Sequence, residues 1–258
     1  MALLTDFGLR DGYVGVMKAV IGGICPQAIV IDLCHEVEPQ NVAQGAFILK
    51  TSWSYFPEGT VLLAVVDPGV GGDRGAIAVR ASSRWFVGPD NGLLSWAWLA
   101  REPDPSDRII VLENDSLWLK PVSRTFHGRD VFAPVAAHLA AGIDPSLLGR
   151  WVSDLVRVPR PEPRRLSADK FELHVVHIDR FGNLITDLEE RALPAEAGRL
   201  RFEVGGLTAA GVSERYSNGQ GLVAIVGSAG HLEIASPGGS AAALTGARPG
   251  SIVTMWSA

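Results

Sequence analysis

With 258 residues, 47% hydrophobic and 20% charged, the chain has the makeup of a packed globular protein, which excludes a disordered one. A formal charge of -5 offers no broad attraction to phosphate backbones, so nucleic acid is not an expected partner and a small ligand is. Two cysteines, Cys25 and Cys34, exclude a disulfide scaffold and fit no zinc pattern, and the absence of a long apolar run or a leader-like MALLTDFGLRDG start points away from a membrane and toward the cytoplasm.

Ala2–Thr5 predicts a short strand, and Gly12–Ile24 a helix with Val16, Ala19, Val20 and Gly23 at helical spacing and Pro26 beyond its end. Ala28–Leu33 predicts the next strand, completing a βαβ unit. A helix over Asn41–Tyr55 leads through PEGT to a strand over Val61–Val66, and further helices fit Leu93–Ala100 and Asp130–Ala141, the last ended by Gly142. This alternation predicts an N-terminal α/β domain, residues 1–156, with a parallel sheet and helices on both faces. The proline- and arginine-rich VRVPRPEPRRL reads as an exposed connector, placed at residues 157–168. Beyond it FELHVVHI, RLRFEV, LVAIV, HLEIA and SIVTMW read as short strands between glycine-rich turns, so a smaller C-terminal β-barrel is expected over 169–258.

TDFGLRDGYVG places Asp6 at the end of the first strand, the edge where open α/β sheets bind ligands. The glycines do not follow GxGxxG and a carboxylate repels phosphate, so a nicotinamide dinucleotide is disfavoured. Asp6 suits the vicinal hydroxyls of a ribose, while Asp11 also fits the positive end of the following helix.

In VLLAVVDPGVGGDR a buried strand ends in Asp67, and Gly69, Gly71 and Gly72 allow a tight return to Arg74. An Asx-turn with a solvated arginine accounts for this segment equally well as a shared polar cavity does. RTFHGRD puts His127 in a turn before a helix; alone it reads as a structural histidine, and beside Asp67 and Arg74 it reads as part of a water-activating group. No nucleophile elbow and no HExxH or HxH pattern is present, so neither a covalent nucleophile nor a metal or cofactor is expected. In HIDRFGNLITDL, Asp179 and Asn183 read as turn residues, or Phe181 stacks on a purine while Asn183 reads its edge. GSAGHLEIASPGG is a second glycine-rich loop.

Together with DLCHEVEPQNV and FVGPDNGLLS these motifs, in this order along essentially the whole chain, resemble the S-adenosylmethionine hydroxide adenosyltransferase family, related to the fluorinating and chlorinating enzymes. The resemblance implies an α/β domain followed by a β-barrel, a homotrimer with active sites between subunits, and hydrolysis of S-adenosyl-L-methionine to adenosine and L-methionine. It places water activation on Asp67, Arg74 and His127, ribose binding on Asp6, and adenine binding on Phe181, Asn183 and the backbone near Gly238. Phe126 joins the substrate-binding positions, and Asp11, Asp179 and Ser228 surround the methionine portion. Gln40 stands where relatives often carry an aromatic residue, and AIVGSAG departs from their usual NS-containing loop. A halogenating relative and a non-catalytic adenosine or S-adenosylmethionine sensor are the alternatives.

Overall fold

The computed structural model describes residues 1–194, 196–216 and 221–257. They form two compact units, Met1–Pro159 and Arg160–Ala258, so the division falls inside the stretch read as a connector.

In the first unit β1 (Ala2–Thr5), β2 (Ile31–Cys34), β3 (Val61–Val65), β4 (Ala76–Ala81), β5 (Arg84–Pro89), β6 (Arg108–Val111) and β7 (Trp151–Val152) make one sheet in the order β2-β1-β3-β5-β4-β6-β7. β1 is parallel to β2 and β3, and β3 to β5, but β4 pairs antiparallel with β5 and β6, and β6 with β7. The sheet is therefore mixed rather than parallel. The reversal is the β4–β5 hairpin, whose Ser82 and Ser83 both adopt positive φ (48° and 59°) without the Asn-Gly or Asp-Gly pair that marks such turns.

Helices α1 (Tyr13–Ile24), α2 (Val42–Ser52), α3 (Ser95–Ala100) and α4 (Ala133–Ala140) cover both faces of this sheet. Alternation along the strands sends Leu3, Val61, Leu63 and Val65 to one face, against Met17 and Ile21 of α1 and Val135 of α4. Ala2, Leu4, Leu62 and Ala64 go to the other, against Leu49 of α2 and Ala97 of α3. Full burial of each such leucine or isoleucine stabilises by about 1.5–3 kcal/mol. Asn41 caps α2, its side chain accepting from Gln44 N at 3.0 Å, and a 3₁₀ turn extends that helix over Trp53–Tyr55. β2 starts at Ile31 rather than Ala28 because Ala28 N bonds back to Cys25 O in a turn, and the ladder begins only where Ile31 N reaches Met1 O.

In the second unit β8 (Arg164–Arg165), β9 (Lys170–Ile178), β10 (Leu184–Glu189), β11 (Leu200–Val204), β12 (Leu207–Ala210), β13 (Val212–Ser213), β14 (Val223–Val226), β15 (His231–Ala235) and β16 (Ile252–Ser257) form a second sheet. Its order is β12-β11-β16-β9-β10-β15-β14-β13, with β8 on β9, and only the β13–β14 pair is parallel. The sheet curls until β12 approaches β14, giving the barrel-like form around Leu173, Leu184, Phe202, Leu232 and Val253. A short helix, α5 (Ala241–Thr245), begins at Ser240, whose hydroxyl accepts from Ala243 N. Among the described residues no helix is long and apolar enough to cross a membrane.

Candidate active site

β3 delivers Val66 and Asp67 to its C-terminal end, where the chain must turn. Asn91 fixes that exit by donating from Nδ2 to Val66 O at 2.8 Å. The DPGVGG loop then returns Arg74, whose Nε lies 3.0 and 3.1 Å from the two Asp67 carboxylate oxygens and whose Nη2 also donates to Oδ2. The side chains are only 5% and 12% exposed, so this is a substantially desolvated, bidentate ion pair and not a solvated arginine beside an Asx-turn. The Phe132 ring lies 5.2 Å from the guanidinium carbon.

The same Nη2 reaches His127 Nδ1 at 2.9 Å, across 53 positions of sequence. A guanidinium has no acceptor, so Nδ1 must accept and the ring proton of neutral His127 must sit on Nε2. Burial and then the Arg74 charge lower the His127 pKa below the ordinary histidine range, outweighing Asp67 and Asp130. His127 stands at the start of a wide π turn, Gly128–Phe132, that runs into α4. Pro134 has no N–H to offer the carbonyl four residues back, and Asp130 O accepts from Leu119 N at 2.8 Å instead. The buried Asp130 carboxylate accepts from Arg129 and from Ser123 N, pinning the turn that carries the histidine.

Asp6 follows β1 directly, and its Oδ2 accepts from Gln40 N at 2.8 Å, leaving Oδ1 for another donor. Gln40 holds this position at φ 69°, which is uncommon for a residue other than glycine. Next to Asp6, the buried Thr5 hydroxyl bonds His35 Nδ1 at 2.8 Å, and His35 Nε2 bonds Asp32 at 3.0 Å. Asp11 is exposed one residue before Gly12, and no side chain caps α1. Phe126 packs edge-on to Phe7 and Tyr13, with ring centroids 5.7 and 5.1 Å apart.

In the second unit a cavity of about 690 Å³ is lined by Asp179, Phe181, Asn183, Ser228 and Gly238, all five of the site residues expected in this half, and by Tyr216, Glu233 and Ser236. Asp179 organises the loop: Oδ1 accepts from Phe181 N and Asn183 N, both at 2.9 Å, and Oδ2 from Asn183 Nδ2 at 2.8 Å. This leaves Phe181 76% exposed, free to stack on a planar ligand. Glu233 is buried, its Oε2 accepts from the Tyr216 hydroxyl at 3.2 Å, and burial and then Asp179 outweigh that bond in raising its pKa. Among the described residues no group of three or more His, Cys, Asp and Glu side chains could hold a metal ion.

Residues 1–149 match the SAM hydroxide adenosyltransferase N-terminal domain, and residues 173–254 match the C-terminal domain of the same family. The chain belongs to the SAM hydroxide adenosyltransferase family. A Thermus thermophilus member named (R)-S-adenosyl-L-methionine hydrolase is 43% identical over 98% of this chain and 97% of its own length. A Salinispora tropica protein of the same name is 41% identical over 97% and 95%. A Nocardia brasiliensis fluorinase is more distant, at 27% over 75% and 72%. A crystal structure of a Thermotoga maritima protein superposes with a TM-score of 0.90 at 36% identity, covering 99% of both chains. The family's N-terminal domain spans Asp6, Asp67, Arg74 and His127, and its C-terminal domain spans the whole lining of the cavity from Asp179 to Gly239.

Proposed function

We propose that the protein hydrolyses S-adenosyl-L-methionine to adenosine and L-methionine by attack of water at the ribose C5′ carbon. The observation that carries this reading is the part-buried, hydrogen-bonded Asp67–Arg74–His127 group, and the hydrolase relatives, at up to 43% identity against 27–29% for the fluorinases, support water over halide. As the water oxygen bonds to C5′, the C5′–S bond breaks and its electron pair stays on sulfur as a neutral thioether. No acid is needed on the leaving side.

The water must lose one proton. In neutral His127, Nδ1 is filled by Arg74 and Nε2 carries the ring hydrogen, so the imidazole donates to the water oxygen and does not take its proton. The acceptor left in the group is the Asp67 carboxylate, with Arg74 holding its charge in place. Asp6 holds the ribose hydroxyls, Phe181, Asn183 and the Gly238 backbone take the adenine, and Phe126, Asp11, Asp179 and Ser228 complete the substrate contacts. Asp179, whose oxygens already accept three loop donors, acts mainly by shaping that loop.

Incubation of purified protein with S-adenosyl-L-methionine, followed by chromatography, is expected to give adenosine and methionine in equal amounts whether or not chloride or fluoride is present. Formation of 5′-halo-5′-deoxyadenosine identifies a halogenase instead, and saturable binding without any methionine release identifies a sensor. A cytoplasmic homotrimer with active sites between neighbouring subunits completes the proposal, with residues 1–156 and 169–258 as its domains. Light scattering is expected to return three times the mass of one chain, and a monomer mass contradicts it.

A further inference from the structure

We infer that His35 is a positioning residue for the proposed reaction: through Thr5 it holds the 5–8 segment so that the Asp6 carboxylate meets the ribose in register with the water at the end of β3. This role rests on the proposed function, which assigns Asp6 to the ribose hydroxyls. It also gives a part to DLCHEVEPQNV, a motif that supplies no side chain to the Asp67–Arg74–His127 group.

Backbone pairing between β1 and β2 gives out where Asp6 has to be placed. The parallel ladder pairs Ala2 with Ile31 and Leu3 with Asp32, then shifts so that Leu4 faces Cys34 in its last pair. Beyond it a side-chain bond takes over, Thr5 Oγ1 lying 2.8 Å from His35 Nδ1, with Thr5 fully buried and His35 4% exposed. The far side of the ring fixes the direction of that bond. Burial would raise the Asp32 carboxyl, but hydrogen bonds from Lys18 and His35 outweigh it and hold Asp32 below the ordinary carboxylate range, an ionised acceptor. His35 Nε2 therefore carries the hydrogen that it gives to Asp32 Oδ1 at 3.0 Å, while Lys18 Nζ donates to Oδ2 at 2.7 Å. In the neutral imidazole Nδ1 is then a bare acceptor, and the Thr5 hydroxyl donates to it. The same hydroxyl oxygen accepts from Phe7 N at 3.3 Å.

His35 grips the segment at a second point, its main-chain oxygen accepting from Gly8 N at 2.7 Å. Asp6 and Phe7 lie between the two anchors, and Asp6 Oδ2 accepts from Gln40 N of the same stretch at 2.8 Å. On its other side β1 stays in register with β3 through Thr5 and Val65, so Asp6 and Asp67 leave neighbouring parallel strands at one edge of the sheet. A ribose held by Asp6 and a water held beside Asp67 keep their separation only while the 5–8 segment stays in place. Misplacing a reacting carbon by about 1 Å commonly costs about 10²-fold in rate.

Calorimetric titration of adenosine and 2′,3′-dideoxyadenosine into the parent, Thr5→Val, Thr5→Ser and His35→Leu, with an unfolding curve for each, tests the role. The ratio of the two affinities reads the hydroxyl contact, because loss of folded protein weakens both ligands alike. The parent is expected to favour adenosine. Thr5→Val and His35→Leu are each expected to lower that ratio by at least about fivefold, a good part of the worth of hydrogen bonds to a charged group, whereas Thr5→Ser, which keeps the hydroxyl, stays within about twofold. A smaller fall in Thr5→Val or His35→Leu overturns the inference, as does a Thr5→Ser ratio as low as that of Thr5→Val or a parent with no preference for adenosine. Where His35→Leu does not fold, the Thr5 pair reads the same bond from its other end and decides by the same criteria. The titrations need no turnover, so a parent that prefers adenosine but releases none from S-adenosyl-L-methionine removes the proposed function, and the ratios still decide whether His35 places Asp6.

Discussion

Replacing Arg74 with alanine is expected to lower kcat for adenosine formation by about 10²–10³-fold, the usual cost of removing one preorganised donor from a dry site. The guanidinium is the hub of the group: it is bidentate on Asp67 and holds His127 Nδ1. Its loss also strands the Asp67 carboxylate at 5% exposure, which is expected to destabilise the fold by about 3–5 kcal/mol in denaturant titration. Arg74→Lys restores the charge but not the planar fork, so it is expected to recover stability more than rate.

A pH profile separates this account from simple damage. In the proposed mechanism His127 acts in its neutral form, and because its pKa is lowered, activity is expected above that lowered value and is lost as pH falls through it. The acid limb of the parent therefore lies below the ordinary histidine range, near 6.5. Without the Arg74 charge the limb moves up, though burial, the larger cause, still holds it down. An Arg74→Ala variant with rate within tenfold of the parent and an unmoved limb contradicts the assignment.

Gly71→Ala is expected to cost about 10²-fold in kcat without touching any catalytic side chain. Gly71 sits at φ 75°, where an L-residue costs about 1–2 kcal/mol. A Cβ there would also lie 2.1 Å from Arg124 O, a backbone atom that cannot rotate aside. The contact is relieved only by parting the 67–74 loop from the 124–127 segment, which lengthens the Arg74–His127 bond, and misplacement by about 1 Å commonly costs 10²-fold. Gly59→Ala provides the control: φ there is 78° and nothing lies within 4 Å of the added carbon, so it carries the strain without the displacement. Steady-state kinetics on both variants, with unfolding curves to confirm folding, decide the matter; equal rates for the two show that the close approach at Gly71 has no catalytic role.

Much of this site was legible in the sequence, for reasons that differ by residue. The run Val61–Val66 followed by DPGVGG marks a strand ending in an acid at a tight loop, and the local spacing from Asp67 to Arg74 permits their pairing. Nothing local ties His127 to Arg74 from 53 positions away; the ordered family motifs carried that link, and the π turn with Pro134 supplies its geometry. The antiparallel half of the first sheet was missed because Ser82–Ser83 lacks a recognisable hairpin signal. Glu233 and Tyr216 were missed for another reason: every residue of HLEIA is buried, so no alternation distinguishes a cavity-facing acid from a core strand. Asn91 and Gln40 act through a side-chain bond to Val66 O and a backbone N–H to Asp6, which residue type alone does not reveal.

Turnover of S-adenosyl-L-methionine in oxygen-18 water, with mass analysis of the nucleoside, tests most directly whether the buried ion pair and imidazole aim a solvent oxygen at the sugar. Adenosine carrying one heavy oxygen at its 5′-hydroxyl is the predicted product. Adenosine formed without that label contradicts water attack at C5′, and with it the role given to Asp67, Arg74 and His127.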